Sequence, residues 1–315
     1  MGKNSGEGMK APRLFQDEND LSAMCEVLKQ GRMADNGTYY VHTGDLKWWL
    51  YYPPLERDLW DHIYLWDDNA NPGRLLGWAL ISPEWVGMDV YTQPDLRGSQ
   101  LARNMYLWAE EKATQVVYQN GKQTIHSLWV SHDDAVLLEH YHGQGFCLGR
   151  GVAHMVRDLD EQLPLVSSMD GFVLRNCNGM MEVSQRAAAQ YAAFDSKAPF
   201  QLYQRRFENF MRSPIYQPEL DIVAVSLAEQ IVSFCIIWID PISQVGLFEP
   251  VGTHPDFQRK GLGKAVMQKG LKIMQECGMQ KAVVSTQEDN LPAIDLYKSV
   301  GFQTTKFLGS FEKDV

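Results

Sequence analysis

Residues 249–264 read Glu-Pro-Val-Gly-Thr-His-Pro-Asp-Phe-Gln-Arg-Lys-Gly-Leu-Gly-Lys, and the order of that stretch decides the fold. It opens as an extended run, turns at Pro255-Asp256, crosses a basic loop spaced by Gly261 and Gly263, and enters a helix. Apolar residues at Leu262, Val266, Ile273 and Cys277, with Ala265 between, recur at helical spacing, and Gly278 closes the run. A strand that feeds a glycine loop at a helix start is an anion cradle. The first-turn N–H groups lack partners, the helix dipole favours negative charge, and absent side chains let phosphate approach the backbone. Arg259, Lys260 and Lys264 add positive charge.

Downstream, residues 281–286 read as a buried strand, followed by Asn290, a helix over Leu291–Val300, and Gly301-Phe302. Together the two segments resemble the GNAT superfamily of N-acetyltransferases. There, V-x-P-x-x-[QR]-x-x-G-x-G holds the pyrophosphate of acetyl-CoA, and N-x-x-A-x-x-x-Y-x-x-x-G-F closes over the cofactor arm. The matching residues are Gln258, Gly261 and Gly263 in the first motif, with Thr253 in place of its valine. In the second they are Asn290, Ala293, Tyr297, Gly301 and Phe302. The likeness covers residues 171–315. It implies an α/β fold whose mixed, mostly antiparallel sheet splays open to admit acetyl-CoA between flanking helices.

The 315 residues, 45% of them apolar, suggest two domains. No apolar run is long enough to span a bilayer, and the first ten residues lack an apolar signal core. Five scattered cysteines, with no metal- or redox-type pairing, read as reduced core residues of a cytoplasmic protein without a bound metal. The net charge of −10 argues against nucleic acid as a partner. It lies wholly in the first half: residues 1–170 hold 14 basic and 24 acidic side chains, residues 171–315 hold 15 of each.

Sliding the chain against itself shows a repeat. Val90-Tyr91-Thr92-Gln93-Pro94-Asp95 lies against Val251-Gly252-Thr253-His254-Pro255-Asp256, and Tyr141…Gly145-Phe146 against Tyr297…Gly301-Phe302. Two tandem GNAT-like domains follow, at 1–162 and 163–315, with a polar boundary over 158–171. In the first copy Gln100 and Ala102 replace the cradle glycines, Asp134 replaces Asn290, and Met88 falls opposite Glu249. The first domain is therefore expected to be degenerate, not to bind acetyl-CoA productively, and to wall the acceptor cleft.

Strands are expected at 62–67, 74–81, 88–92, 124–130, 171–176, 221–227, 231–239 and 246–253, and helices at 14–32, 98–117, 134–143, 180–194 and 200–212. The aromatic run Tyr39–Tyr52 reads as core strand and loop, or alternatively as the lining of a pocket for cationic or aromatic amines.

Amine acetylation needs a free-base amine, a polarised thioester carbonyl and a proton for the departing thiolate. Backbone N–H groups near Val251 and Thr253 can polarise the carbonyl. Glu249 is the candidate base, at a place where many family members carry one, and His254 is its rival. The resemblance gives Tyr297 the role of acid, and Tyr141 reads as core. Glu249→Gln is expected to be felt most at low pH, where the amine is protonated. Cofactor contacts are expected from Val251, Thr253, Gln258, Arg259, Lys260, Gly261, Gly263, Lys264 and Asn290. The expected activity is transfer of acetyl from acetyl-CoA to a primary amine on a small molecule, by a monomer or homodimer without nucleic-acid or membrane partners. Two alternatives stand beside it: an acyl-CoA-binding regulator without turnover, and an aminoacyl-transfer enzyme of similar duplicated fold, which would not need the glycine cradle.

Overall fold

The computed structural model describes residues 11–35, 40–52, 57–83, 87–159, 162–163 and 169–315. The N-terminal decapeptide, Tyr39, and residues 160–161 and 164–168 of the expected boundary lie outside them.

In chain order the elements begin with β1 (Arg13–Leu14), α1 (Glu18–Ala34), α2 (Thr43–Tyr51), β2 (Ile63–Asp67), β3 (Leu75–Ser82) and β4 (Gly87–Thr92). Then come α3 (Gln100–Gln119), β5 (Thr124–Ser131), α4 (Ala135–Gly143) and β6 (Cys147–Asp158). The same order recurs as β7 (Phe172–Asn176), α5 (Val183–Ala193), α6 (Phe200–Arg212), β8 (Asp221–Ser226), β9 (Ile231–Asp240) and β10 (Val245–Thr253). It closes with α7 (Leu262–Glu276), β11 (Lys281–Gln287), α8 (Leu291–Ser299) and β12 (Gln303–Asp314). The aromatic run is not strand and loop: it is α2, started by a capping box in which His42 Nδ1 accepts from Gly44 N at 2.9 Å and Asp45 accepts from His42 N at 2.7 Å.

Two compact units form, and a single cut between 162 and 163 does not separate them. Unit 1 comprises Met1–Tyr40, Arg57–Gly151 and Leu308–Val315; unit 2 comprises Val41–Glu56 and Val152–Phe307. Strand pairing explains the interleaving. Residues 152–158 of β6 run antiparallel to β11 in unit 2, while residues 308–314 of β12 run antiparallel to β5 in unit 1. Helix α2 goes to unit 2 because His42 Nε2 lies 3.0 Å from Val245 O and Gly44 packs so tightly on Trp238 that a Cβ would lie 2.4 Å from its ring.

Each unit repeats one topology. In unit 2, β7–β8–β9–β10 are antiparallel neighbours, and β10 runs parallel to β11. In unit 1, β1–β2–β3–β4 are antiparallel neighbours, and β4 runs parallel to β5. The unit 2 core gathers Ile222, Ile237, Phe248, Leu262, Val266, Met274 and Val284. On α7, each fully buried side chain of Leu or Met size contributes about 1.5–3 kcal/mol. Gly270 lets that helix close on the sheet, since a Cβ there would lie 2.6 Å from Phe248 Cε1. Of the five cysteines, Cys25, Cys177 and Cys235 are buried as expected, but Cys147 and Cys277 are exposed. Cys277 stands past the last turn of α7, where the apolar stripe has left the sheet. No helix among the described residues is long and apolar enough to cross a membrane.

Candidate active site

The site is built where the unit 2 sheet opens. β10 pairs with β11 only from Val245 to Leu247, after which no ladder bond joins them. On its other side β10 stays paired with β9 as far as Thr253, with an irregularity between Phe248 and Val251 that leaves Glu249 and Pro250 outside the register. The Glu249–Pro250 peptide is cis. Proline has no N–H to give the ladder, so this is where the strand breaks step. Trp238 Nε1 donates to Glu249 O at 2.7 Å and holds the irregular segment against β9.

A cavity of about 800 Å³ fills the opening. Its walls include Val251, Thr253, Gln258, Arg259, Gly261, Gly263, Lys264, Asn290 and Tyr297, so nine of the eleven residues singled out in the sequence meet around one space. Arg259 and Gly261 have positive φ, 61° and 79°, which curls the loop into a nest of backbone N–H groups. Gly261 is the N-cap of α7, and no side chain caps that helix. Its first-turn donors face the cavity without a protein partner, so the residues present fit a polyphosphate. At Gly263 the packing is close: a Cβ would lie 3.2 Å from Leu296 Cδ2 and 3.3 Å from Thr253 Oγ1, so those side chains would have to give by a few tenths of an ångström.

Two of the eleven residues do not line the cavity. Lys260 extends over the Phe257 ring, its Nζ 5.0 Å from the centroid. Glu249 stands on β10, half-buried, just beyond it. Loss of solvation, with the Asp45 carboxylate adding repulsion, pushes the Glu249 carboxyl up to about 8. Tyr297 is 6% exposed on α8, and no hydrogen bond to its hydroxyl is found among the described residues. Burial first, then the negative charge of Glu249, raises its phenol above the ordinary value. Asn290 caps α8, accepting from Ala293 N at 3.4 Å and donating to Thr286 Oγ1 at 3.1 Å. The rival base His254 holds its own turn with one ring nitrogen, Nδ1 accepting from Asp256 N at 3.3 Å. Phe194 and Leu291, both exposed and both on the cavity wall, were not foreseen. Each stands at a helix end, where exposed apolar residues carry no distinctive sequence signal.

Unit 1 keeps the plan and alters the chemistry. Ser99 Oγ accepts from Ala102 N at 3.1 Å, so α3 is capped by its own side chain. β4 pairs with β3 without interruption from Gly87 to Thr92. This register corrects the expected match of Met88 with Glu249. Met88 and Val90 face Ile81 and Ala79, as Phe248 and Val251 face the corresponding Ile237 and Cys235. Asp89 therefore occupies the slot that Glu249 and Pro250 share in unit 2. Tyr141 is buried, its hydroxyl 2.6 Å from Ser127 Oγ, in keeping with a core role.

The chain thus duplicates one α/β topology, and in unit 2 that topology carries a splayed sheet and an uncapped glycine cradle. The family model "Acetyltransferase (GNAT) family" matches residues 183–302. A mycothiol acetyltransferase of Streptomyces bingchenggensis is 33% identical over 255 residues, covering 77% of this chain and 78% of that protein. Another from Saccharomonospora viridis is 39% identical over 62 residues, so this chain spans only 20% of that relative's length. Among solved structures, a tandem GNAT protein from the clavulanic acid biosynthesis pathway superposes with TM-score 0.67 at 14% identity, over 96% of this chain and 97% of that one. A GCN5-related N-acetyltransferase from Sphaerobacter thermophilus gives 0.66 at 18% identity, over 96% and 94%. This chain belongs to the GNAT acetyltransferase family.

Proposed function

We propose that unit 2 transfers an acetyl group from acetyl-CoA to a primary amine of a small-molecule acceptor. The observation that carries the reading is the single cavity of about 800 Å³ that joins an uncapped helix start, its cations, an unpaired strand edge and a buried tyrosine. The α7 amides, Arg259 and Lys264 hold the pyrophosphate. The free edge of Val251–Thr253 pairs with the pantetheine arm as an added strand would, and its N–H groups polarise the thioester carbonyl. Acetyl-CoA supplies the activated acyl group. Glu249 takes the ammonium proton, directly or through water, and Tyr297, kept protonated by burial, gives its proton to the thiolate. Acceptor nitrogen–carbon bond formation and carbon–sulfur cleavage thus leave an amide and a free thiol. The names of the relatives suggest an acceptor linked to mycothiol. We read the chain as a cytoplasmic monomer or homodimer, and its acidic balance argues against nucleic acid as a partner.

Thiol release from acetyl-CoA, followed with a panel of amines across pH, tests the reading. A carboxyl with its pKa near 8 is mostly protonated at pH 6 and cannot accept a proton, so turnover should rise as pH passes through about 8. Glu249→Gln should lose that limb, by about 10²-fold or more at its top, and follow only the titration of the amine itself. This reverses the expectation of greatest loss at low pH, because there the parent's own base is already protonated. Saturable acetyl-CoA binding with no amine-dependent thiol release would leave a binding module in place of an enzyme.

A further inference from the structure

The unit 1 cavity has a different chemistry from its unit 2 counterpart. Its outer chamber, about 410 Å³, is lined by Arg97, Arg103, Asp133, Asp134 and Val136 among others. An inner chamber of about 40 Å³ shares Thr92, Arg97, Tyr106, Asp134 and Leu137 with it and ends at Asp89. Asp89 is 7% exposed. One carboxylate oxygen accepts from Tyr40 Oη at 2.9 Å, and no donor among the described residues reaches the other. No Lys, Arg or His nitrogen there lies within 4 Å of it either. Buried carboxylates are ordinarily paired, because an isolated charge out of water is costly. Burial accordingly pushes this carboxyl up to about 7, against the pull of the tyrosine hydroxyl.

We propose that this cavity binds a small organic ammonium ion, its charged head in the inner chamber against Asp89. The head finds a carboxylate without a cation, beside the stacked rings of Tyr40 and Tyr91, 4.7 Å apart, with the Arg97 guanidinium over the Tyr91 ring at 5.9 Å. A chamber needs on the order of 10–15 Å³ to admit one water, and an ammonium group is about that size. The cations at the wall do not cancel this preference. Arg97 is engaged by Asp35 at 2.7 Å and by Tyr91 Oη at 3.1 Å, and the carboxylates of Asp133 and Asp134 line the same outer chamber as Arg103. An anionic ligand is disfavoured by the same features, since Ser99 occupies the helix start that would otherwise hold it. The inference goes beyond acetyl transfer and does not depend on it.

Fluorine NMR titration of the full chain with a fluorinated butylammonium, against the matching fluorinated butanol, tests the site. It is done in a Glu249→Gln background, so that a carboxylate in unit 2 cannot supply the binding. The ammonium should bind at least about tenfold more tightly than the alcohol, a difference of about 1.4 kcal/mol. Asp89→Asn should erase the difference. Val136→Trp, at a half-exposed wall position, should block entry and weaken the ammonium by a similar factor. Equal binding of the two probes overturns the proposal, as does ammonium binding that survives both variants. If Asp89→Asn does not fold, unchanged binding in Val136→Trp overturns it.

Discussion

Tyr297→Phe should lower kcat by about 10²- to 10⁴-fold, the range typical of a general acid, while acetyl-CoA affinity changes little. The ring is buried in the unit 2 core beside Phe302, and phenylalanine keeps that packing. The hydroxyl has no partner among the described residues, so its loss strands no buried donor and breaks no network. The effect should therefore fall on the chemical step rather than on folding. With the acid gone, thiolate must leave unprotonated or find water, and raising pH does not help. The variant should keep the ascending limb set by Glu249, displaced downward at every pH. Steady-state kinetics across pH, with acetyl-CoA affinity measured separately, makes the check. Turnover within about threefold of the parent would return Tyr297 to the status of a core residue, like Tyr141.

Gly261→Glu should weaken acetyl-CoA binding by at least about 100-fold, or about 2.7 kcal/mol. Three effects act together. A side chain at φ 79° strains the backbone by about 1–2 kcal/mol. A Cβ narrows the path of phosphate to the α7 amides. A carboxylate in the nest repels the pyrophosphate and caps the helix in its place. The fold itself should tolerate the change, because the nearest atom to a Cβ is Met169 Cε at 3.8 Å and the loop is exposed. A thermal melt within a few degrees of the parent, alongside lost binding in calorimetry, is the expected pair of results. Affinity retained within about twofold would make the glycine a turn residue and nothing more.

Much of this was legible because local chemistry wrote it. The loop at 258–263 and the helix starts at Gly261 and Asn290 follow from glycine freedom and capping, which act over a few residues. Most strands and helices were found within a residue or two for the same reason. The misses are long-range. Neither β6 nor β12 was expected, although each runs for twelve residues, because mixed polar and apolar positions at a chain segment's end do not reveal a partner more than a hundred residues away. Their exchange between the two units is what makes the unit boundary discontinuous. α2 was misread because Tyr, Trp and Leu in succession suit a buried strand as well as a buried helix, and only the His42–Asp45 capping box separates the two. In the repeat, Met88 was set against Glu249 since an ungapped offset cannot see an irregular strand; the ladder shows Asp89 there. Lys260 was credited to the site by its neighbours, but a loop residue's direction is set by φ and by Phe257 beneath it.

On the function proposed, only unit 2 handles acetyl-CoA, because its helix start is open and that of unit 1 is closed by Ser99. Calorimetric titration of the full chain with acetyl-CoA tests it most directly. One site per chain, lost in Gly261→Glu and unchanged in Gln100→Glu, is the expected result. Two sites of comparable affinity, or a single site that disappears in Gln100→Glu and survives in Gly261→Glu, would contradict it.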